Sequence, residues 1–212
     1  MEIENKNYKD SVFRLLFNNK ERLLELYNAL NGTEYCDPEE LEIRTLKGNT
    51  FLKVKNDVSF IIEFRLNLYE HQSTPFPNIP LRDLYYLASM LIELIPLKKT
   101  YGKTMIKIPS PKFFVFYNGA EDMDDQEIYK LSDMYKISDP SPSVELKVTA
   151  YNVNEGHNHE LMEACRTLKN YDILNQRFKM SANKPIIVDL RRRVCLPIES
   201  CSHETRSKCV FL

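Results

Sequence analysis

Apolar residues near the start of the chain recur at helical steps: Phe13, Leu16, Phe17, Leu23, Leu24, Tyr27 and Leu30. This spacing predicts a helical region over 8–31, with Ser11 as a cap, a break at Asn18-Asn19 and an end at Asn31-Gly32. The period then changes. LEIRTLKG, FLKVKNDVSFII and FRLNLYEHQS alternate or run apolar and carry β-branched and aromatic residues. They predict strands over about 41–47, 51–62 and 64–72, with a reversal near Glu63-Phe64.

The turn signals of STPFPNIP hand over to PLRDLYYLASMLIELI, where Leu81, Leu84, Tyr85, Ala88, Leu91, Ile92 and Ile95 suggest an amphipathic helix with Pro80 in its first turn. KFFVFYNG (112–119) reads as a strand buried on both faces, and SVELKVTAYNV (143–153) as an alternating one. NHELMEACRTLKNYDILNQRF (158–178) reads as helical. The order of elements predicts a mixed-sheet α/β domain over 1–180. Past residue 180 only KPIIVDL suggests a short strand, so 181–212 is expected to be an atypical, weakly ordered or truncated tail.

Composition narrows the class. A chain of 212 residues with 43% hydrophobic residues can bury one substantial core. Its 29 basic and 30 acidic residues leave no global basic field, so any nucleic-acid contact has to be local. The polar MEIENKNYKD start lacks the form of a signal peptide, and LYYLASMLIELIPL is too short for a membrane span, so a soluble, cytoplasmic protein with no membrane partner is expected. Five cysteines at 36, 165, 195, 201 and 209, with no C-x-x-C pair, suggest reduced thiols. Oligomeric state is not legible.

Candidate chemistry gathers at one hairpin. In LNLYEHQST, strand alternation puts Glu70 and Gln72 on one face and Tyr69 and His71 on the other. Asp57, inside VKNDVSFII, lies on the preceding strand, and neighbouring strands are only about 5 Å apart. Two carboxylates that close repel unless a cation joins them, and hard oxygen ligands suit Mg²⁺. Such a site can polarise a phosphodiester and activate water. Gln72 is no base, but its amide can orient a water or a phosphate oxygen.

NDVSFII, YEHQST, NIPLR…YYLA, FFVFYNGAED and KVTAYNVNEGHN, in that order over residues 8–178, resemble the Rpn family of recombination-promoting nucleases and putative transposases, within the PD-(D/E)XK superfamily. The resemblance implies an αβββαβ core with a mixed central sheet flanked by helices, Mg²⁺-dependent DNA endonuclease activity, and a link to recombination and mobile elements. It implies that Asp57 and Glu70 are metal ligands, with His71 as the intervening residue. Gln72 stands where the superfamily signature has lysine. A catalytically decayed DNA-binding or interaction module on the same fold is the alternative.

Other residues draw weaker expectations. Arg82, early in its helix, is a candidate for a DNA phosphate. The His71 side chain is expected to face away from the site. Arg14 and Glu25 suit a solvated helix face better than the border of the same cleft, and GAEDMDDQE a solvated loop without EF-hand spacing. His157 and His159 fit a helix cap region better than a metal site. Cys195, Cys201, His203 and Cys209 lack zinc spacing, and CVFL matches a prenylation box by chance. The family usually continues with helices after RTLKNYDILNQRF, so a truncated or frame-shifted C-terminus is expected.

Overall fold

Glu63 and Phe64 both adopt left-handed φ values, 44° and 61°. A two-residue hairpin loop needs that conformation for its twist to match the flanking strands. The loop joins Val58–Ile62 (β2) to Arg65–Gln72 (β3), with Ile62 opposite Arg65 and Val58 opposite Tyr69. The computed structural model describes residues 12–46 and 55–180. Expectations for Ser11, residues 51–54, KPIIVDL, the tail cysteines with His203, and CVFL lie outside the described residues.

Residues 12–17 (α1) are helical and end at Asn18-Asn19. Asn19 then caps Lys20–Asn31 (α2) by accepting from the Arg22 N–H at 3.0 Å. Gly32, at φ 62°, closes α2 by sending its N–H back to the Asn28 carbonyl, a conformation that a residue without Cβ adopts at no steric cost. Glu42–Ile43 (β1) is far shorter than the strand expected over 41–47, because the Thr45 hydroxyl, not a backbone carbonyl, accepts from the Ser59 N–H.

Beyond β3 come Ile79–Leu94 (α3), Ser110–Tyr117 (β4), Gln126–Lys130 (β5), Lys147–Asn152 (β6), His159–Ala164 (α4) and Arg166–Met180 (α5). The six strands form one mixed sheet in the order β1-β2-β3-β4-β6-β5, with β3-β4 and β4-β6 parallel and the other pairs antiparallel. Helices cover both faces. Val58, Phe60, Tyr69 and Phe116 pack with α1, α2 and the C-terminal helices, while Leu66, Leu68, Val115 and Val148 pack with α3. The expected α/β class with a mixed, helix-flanked sheet is therefore the observed one.

Three details differ from expectation. Strand β5 begins inside the stretch 119–127 expected to be a solvated loop; QEIYK is too polar to announce a strand, yet it forms an edge strand, largely exposed and, among the described residues, paired only to β6. The helix expected over 158–178 breaks at Cys165, between α4 and α5. Helix α3 keeps its expected extent but turns a different face inward: Asp83, Tyr86, Ser89 and Met90 are buried, while Tyr85 and Ile92 are exposed. The segment is apolar nearly all round, so its periodicity does not select the face that packs.

Among the described cysteines, Cys165 is a free, buried thiol whose pKa burial raises. No helix among the described residues is long and apolar enough to cross a membrane.

Candidate active site

Strand β2 stops at Val58 because Asp57 replaces ladder bonds with side-chain bonds. The Asp57 N–H donates to Glu70 Oε1 at 2.9 Å, and the His71 N–H donates to Asp57 Oδ2 at 2.9 Å. Each acid thus accepts a backbone proton from the other's strand. Since Val58 and Tyr69 share one face, the next pair in register, Asp57 and Glu70, shares the opposite face, beneath α3.

Glu70 is buried, and both its carboxylate oxygens are engaged. Oε1 takes the Asp57 N–H, and Oε2 takes a guanidinium N–H from Arg82 Nη2 at 3.2 Å. Burial pushes the Glu70 pKa well above the usual carboxylate range, and the charges of Asp57 and Asp83 push it further. The Asp57 N–H and Arg82 pull against that rise without cancelling it. Burial disfavours the Arg82 cation too, but Tyr86, Glu70 and Asp83 more than offset this and hold its pKa above the usual guanidinium value.

The acids fit a hard cation as a pair. Asp57 and Glu70 offer oxygen donors on one face, and a divalent ion would relieve the repulsion that raises Glu70. A cation at Glu70 would compete with Arg82 for Oε2. Among the described residues no group of three or more His, Cys, Asp or Glu side chains is close enough to hold a metal, so the rest of such a shell has to come from water, backbone or substrate.

Gln72 extends along the Glu70 face and is partly exposed, while its carbonyl accepts from the Asn118 N–H at 3.0 Å. The His71 side chain lies on the other face, as alternation requires. Its Nε2 is 2.9 Å from Asn118 Oδ1, and its ring stacks on Phe13 at 5.7 Å and meets the edge of Tyr171 at 5.5 Å. His71 is a core residue.

Glu25 belongs to neither the cleft nor a solvated face. It accepts from the Arg166 N–H at 2.7 Å and from the Thr167 hydroxyl at 2.6 Å, satisfying the start of α5. Arg14 is exposed. His157 pairs through Nδ1 with Asp125 Oδ1 at 2.6 Å, tying the β6-α4 loop to the start of β5, and His159 opens α4.

Two residues of the cluster escaped the sequence reading, Asp83 and Tyr86. Asp83 is 1% exposed, its Oδ1 has no hydrogen-bond partner, and burial raises its pKa to about 8. Burial, with Glu70 next, raises Tyr86 to about 12. A signal was present: Ile79, Asp83, Tyr86 and Met90 recur at helical steps, which places a carboxyl within an otherwise apolar stripe. No protein-family model, no curated protein and no solved structure matches the chain.

Proposed function

We propose that the chain is a Mg²⁺-dependent DNA endonuclease with a PD-(D/E)XK-type core, acting in recombination or the movement of a mobile element. The observation that carries this reading is the reciprocal pairing of Asp57 and Glu70 on one face of adjacent strands. The run of α2, then β1 to β3, then α3 and β4 accords with the αβββαβ plan that the resemblance implies.

In this reading Asp57 and Glu70 hold the cation. A bound Mg²⁺ supplies Lewis-acid polarisation of the phosphodiester and lowers the pKa of water. Gln72, on the Glu70 face, orients the attacking water or a phosphate oxygen through its amide and accepts no proton. Arg82, once Glu70 has turned to the cation, presents its guanidinium to a phosphate oxygen. As the water oxygen bonds to phosphorus, the bond to the leaving deoxyribose oxygen breaks; the water's proton passes to solvent, and the leaving oxygen takes a proton from solvent.

The test is nicking of supercoiled plasmid with Mg²⁺ or EDTA by the wild type, Asp57→Ala and Glu70→Ala. Mg²⁺-dependent nicking lost in both variants is expected, and equal cleavage by all three would overturn the assignment. The Arg82–Glu70 ion pair, with glutamine in place of lysine at 72, favours a second reading as a decayed nuclease fold that binds DNA without cutting it. Salt-dependent binding with no Mg²⁺-dependent cleavage at any protein concentration would support that reading.

A further inference from the structure

The connection from α3 to β4 carries a charge that nothing in the proposed site uses. Lys98, Lys99, Lys103 and Lys107 fall within ten residues that hold no acid, in a chain whose net charge is −1. All four are exposed, and none forms an ion pair among the described residues. Exposed Tyr101 and Met105 stand between them and exposed Leu97 and Ile108 flank them, with Tyr101 83% exposed. Large apolar side chains left in solvent beside unpaired cations mark an interaction surface.

The fold fixes where this segment lies. A short 3₁₀ helix, Leu97–Tyr101, follows α3, and the Ser110 N–H at the start of β4 donates to the Phe64 carbonyl of the β2-β3 loop at 2.8 Å. The lysines therefore sit at the end of the sheet opposite Glu70 and Gln72. Arg82 lies in the first turn of α3, and the sixteen residues of that helix span about 24 Å. That separation corresponds to about seven nucleotide steps at 3.4 Å per step along a strand.

We infer that this connection is a second nucleic-acid contact, in which the four lysines neutralise backbone phosphates several nucleotides from the Asp57–Glu70 pair. The inference extends the nuclease reading to its substrate but needs only that the chain binds DNA, not that it cuts. Charge complementarity selects a polyanion. The apolar residues select one with stacked bases, since Tyr101 can stack on a base and Leu97 or Met105 can wedge at a base step. A lipid surface fits less well, because the five-residue 3₁₀ helix offers no continuous amphipathic face to lie in it.

The test measures binding of a 30-base-pair duplex by fluorescence anisotropy, in EDTA, across a salt series. The proteins are the wild type, a variant with Lys98, Lys99, Lys103 and Lys107 all changed to Ala, and a control with exposed Lys130, Lys136, Lys147 and Lys169 changed to Ala. Melting curves of each establish folding. The expected result is at least a tenfold loss of affinity in the first variant only, with the salt slope reduced by about 0.9 for each lysine that meets a phosphate. Binding that the first variant retains, or that the control loses equally, would overturn the proposal. So would wild-type capture by phosphatidylserine vesicles, or self-association, without DNA binding. Lysine-dependent binding by a wild type that never nicks plasmid would remove the nuclease reading and leave this surface standing.

Discussion

Asp57 and Glu70 are cross-linked through their main chains: each carboxylate accepts a backbone N–H at 2.9 Å from the strand that carries the other. The two acids are thus held on one face by the hairpin and not by their side-chain rotamers alone. Substitutions that keep the shape and remove the charge test the arrangement most directly. In the nuclease reading, Asp57→Asn and Glu70→Gln each lower Mg²⁺-dependent nicking about a hundredfold, equivalent to about 2.7 kcal/mol of barrier. Initial rates at saturating Mg²⁺ check this, with circular dichroism to establish that both variants fold.

Asp83 gives the protein a pH dependence of definite sign. Its carboxyl titrates at about 8 when folded against a usual 3.8, and Glu70 shifts in the same direction. Between these values the folded state holds protons that the unfolded state has lost, so this contribution is complete below about pH 4 and disappears as pH rises through 8. The Tm is expected to fall between pH 5 and 8.5, and Asp83→Asn to flatten the fall. A wild-type Tm that rises over that interval would contradict the burial argument.

Gln72 separates chemistry from stability. Its side chain is partly exposed, so Gln72→Ala should change stability by less than about 0.5 kcal/mol. If its amide positions water or phosphate, the same variant loses nicking at least tenfold while the Mg²⁺ dependence keeps its midpoint. A full Mg²⁺ titration of the nicking rate distinguishes this from loss of metal.

His71 should behave as core. Buried, paired with Asn118 and stacked on Phe13, it is expected to cost about 2–4 kcal/mol on change to alanine. Urea unfolding measures this, and a cost below 0.5 kcal/mol would show that its packing is dispensable.

Phe64 offers the opposite case. It is 88% exposed at φ 61°, a conformation that costs a residue with a Cβ about 1 kcal/mol. Phe64→Gly should therefore stabilise the fold by up to about 1 kcal/mol, read from the urea midpoint.

Local rules account for what was legible in the sequence. The break at Asn18-Asn19, the end at Gly32, the reversal at Glu63-Phe64 and the alternation separating Glu70 from His71 each depend on residues close in the chain. Backbone sterics and side-chain period decide such features before any distant contact forms. The inward face of α3, the polar edge strand β5 and the role of Glu25 at α5 were not legible. Each is settled by a partner far away in sequence: Glu25 meets Thr167, and β5 survives only because β6 lies beside it. The acid pair falls between the two. Sequence alone determined that Glu70 faces away from His71 and that Asp57 lies across the hairpin from it; the structure places Asp57 in a bend one residue before β2 and not inside the strand. Tertiary structure decided that Glu70 is buried against Arg82 with Asp83 nearby, because the free energy of a buried charge depends on everything that surrounds it.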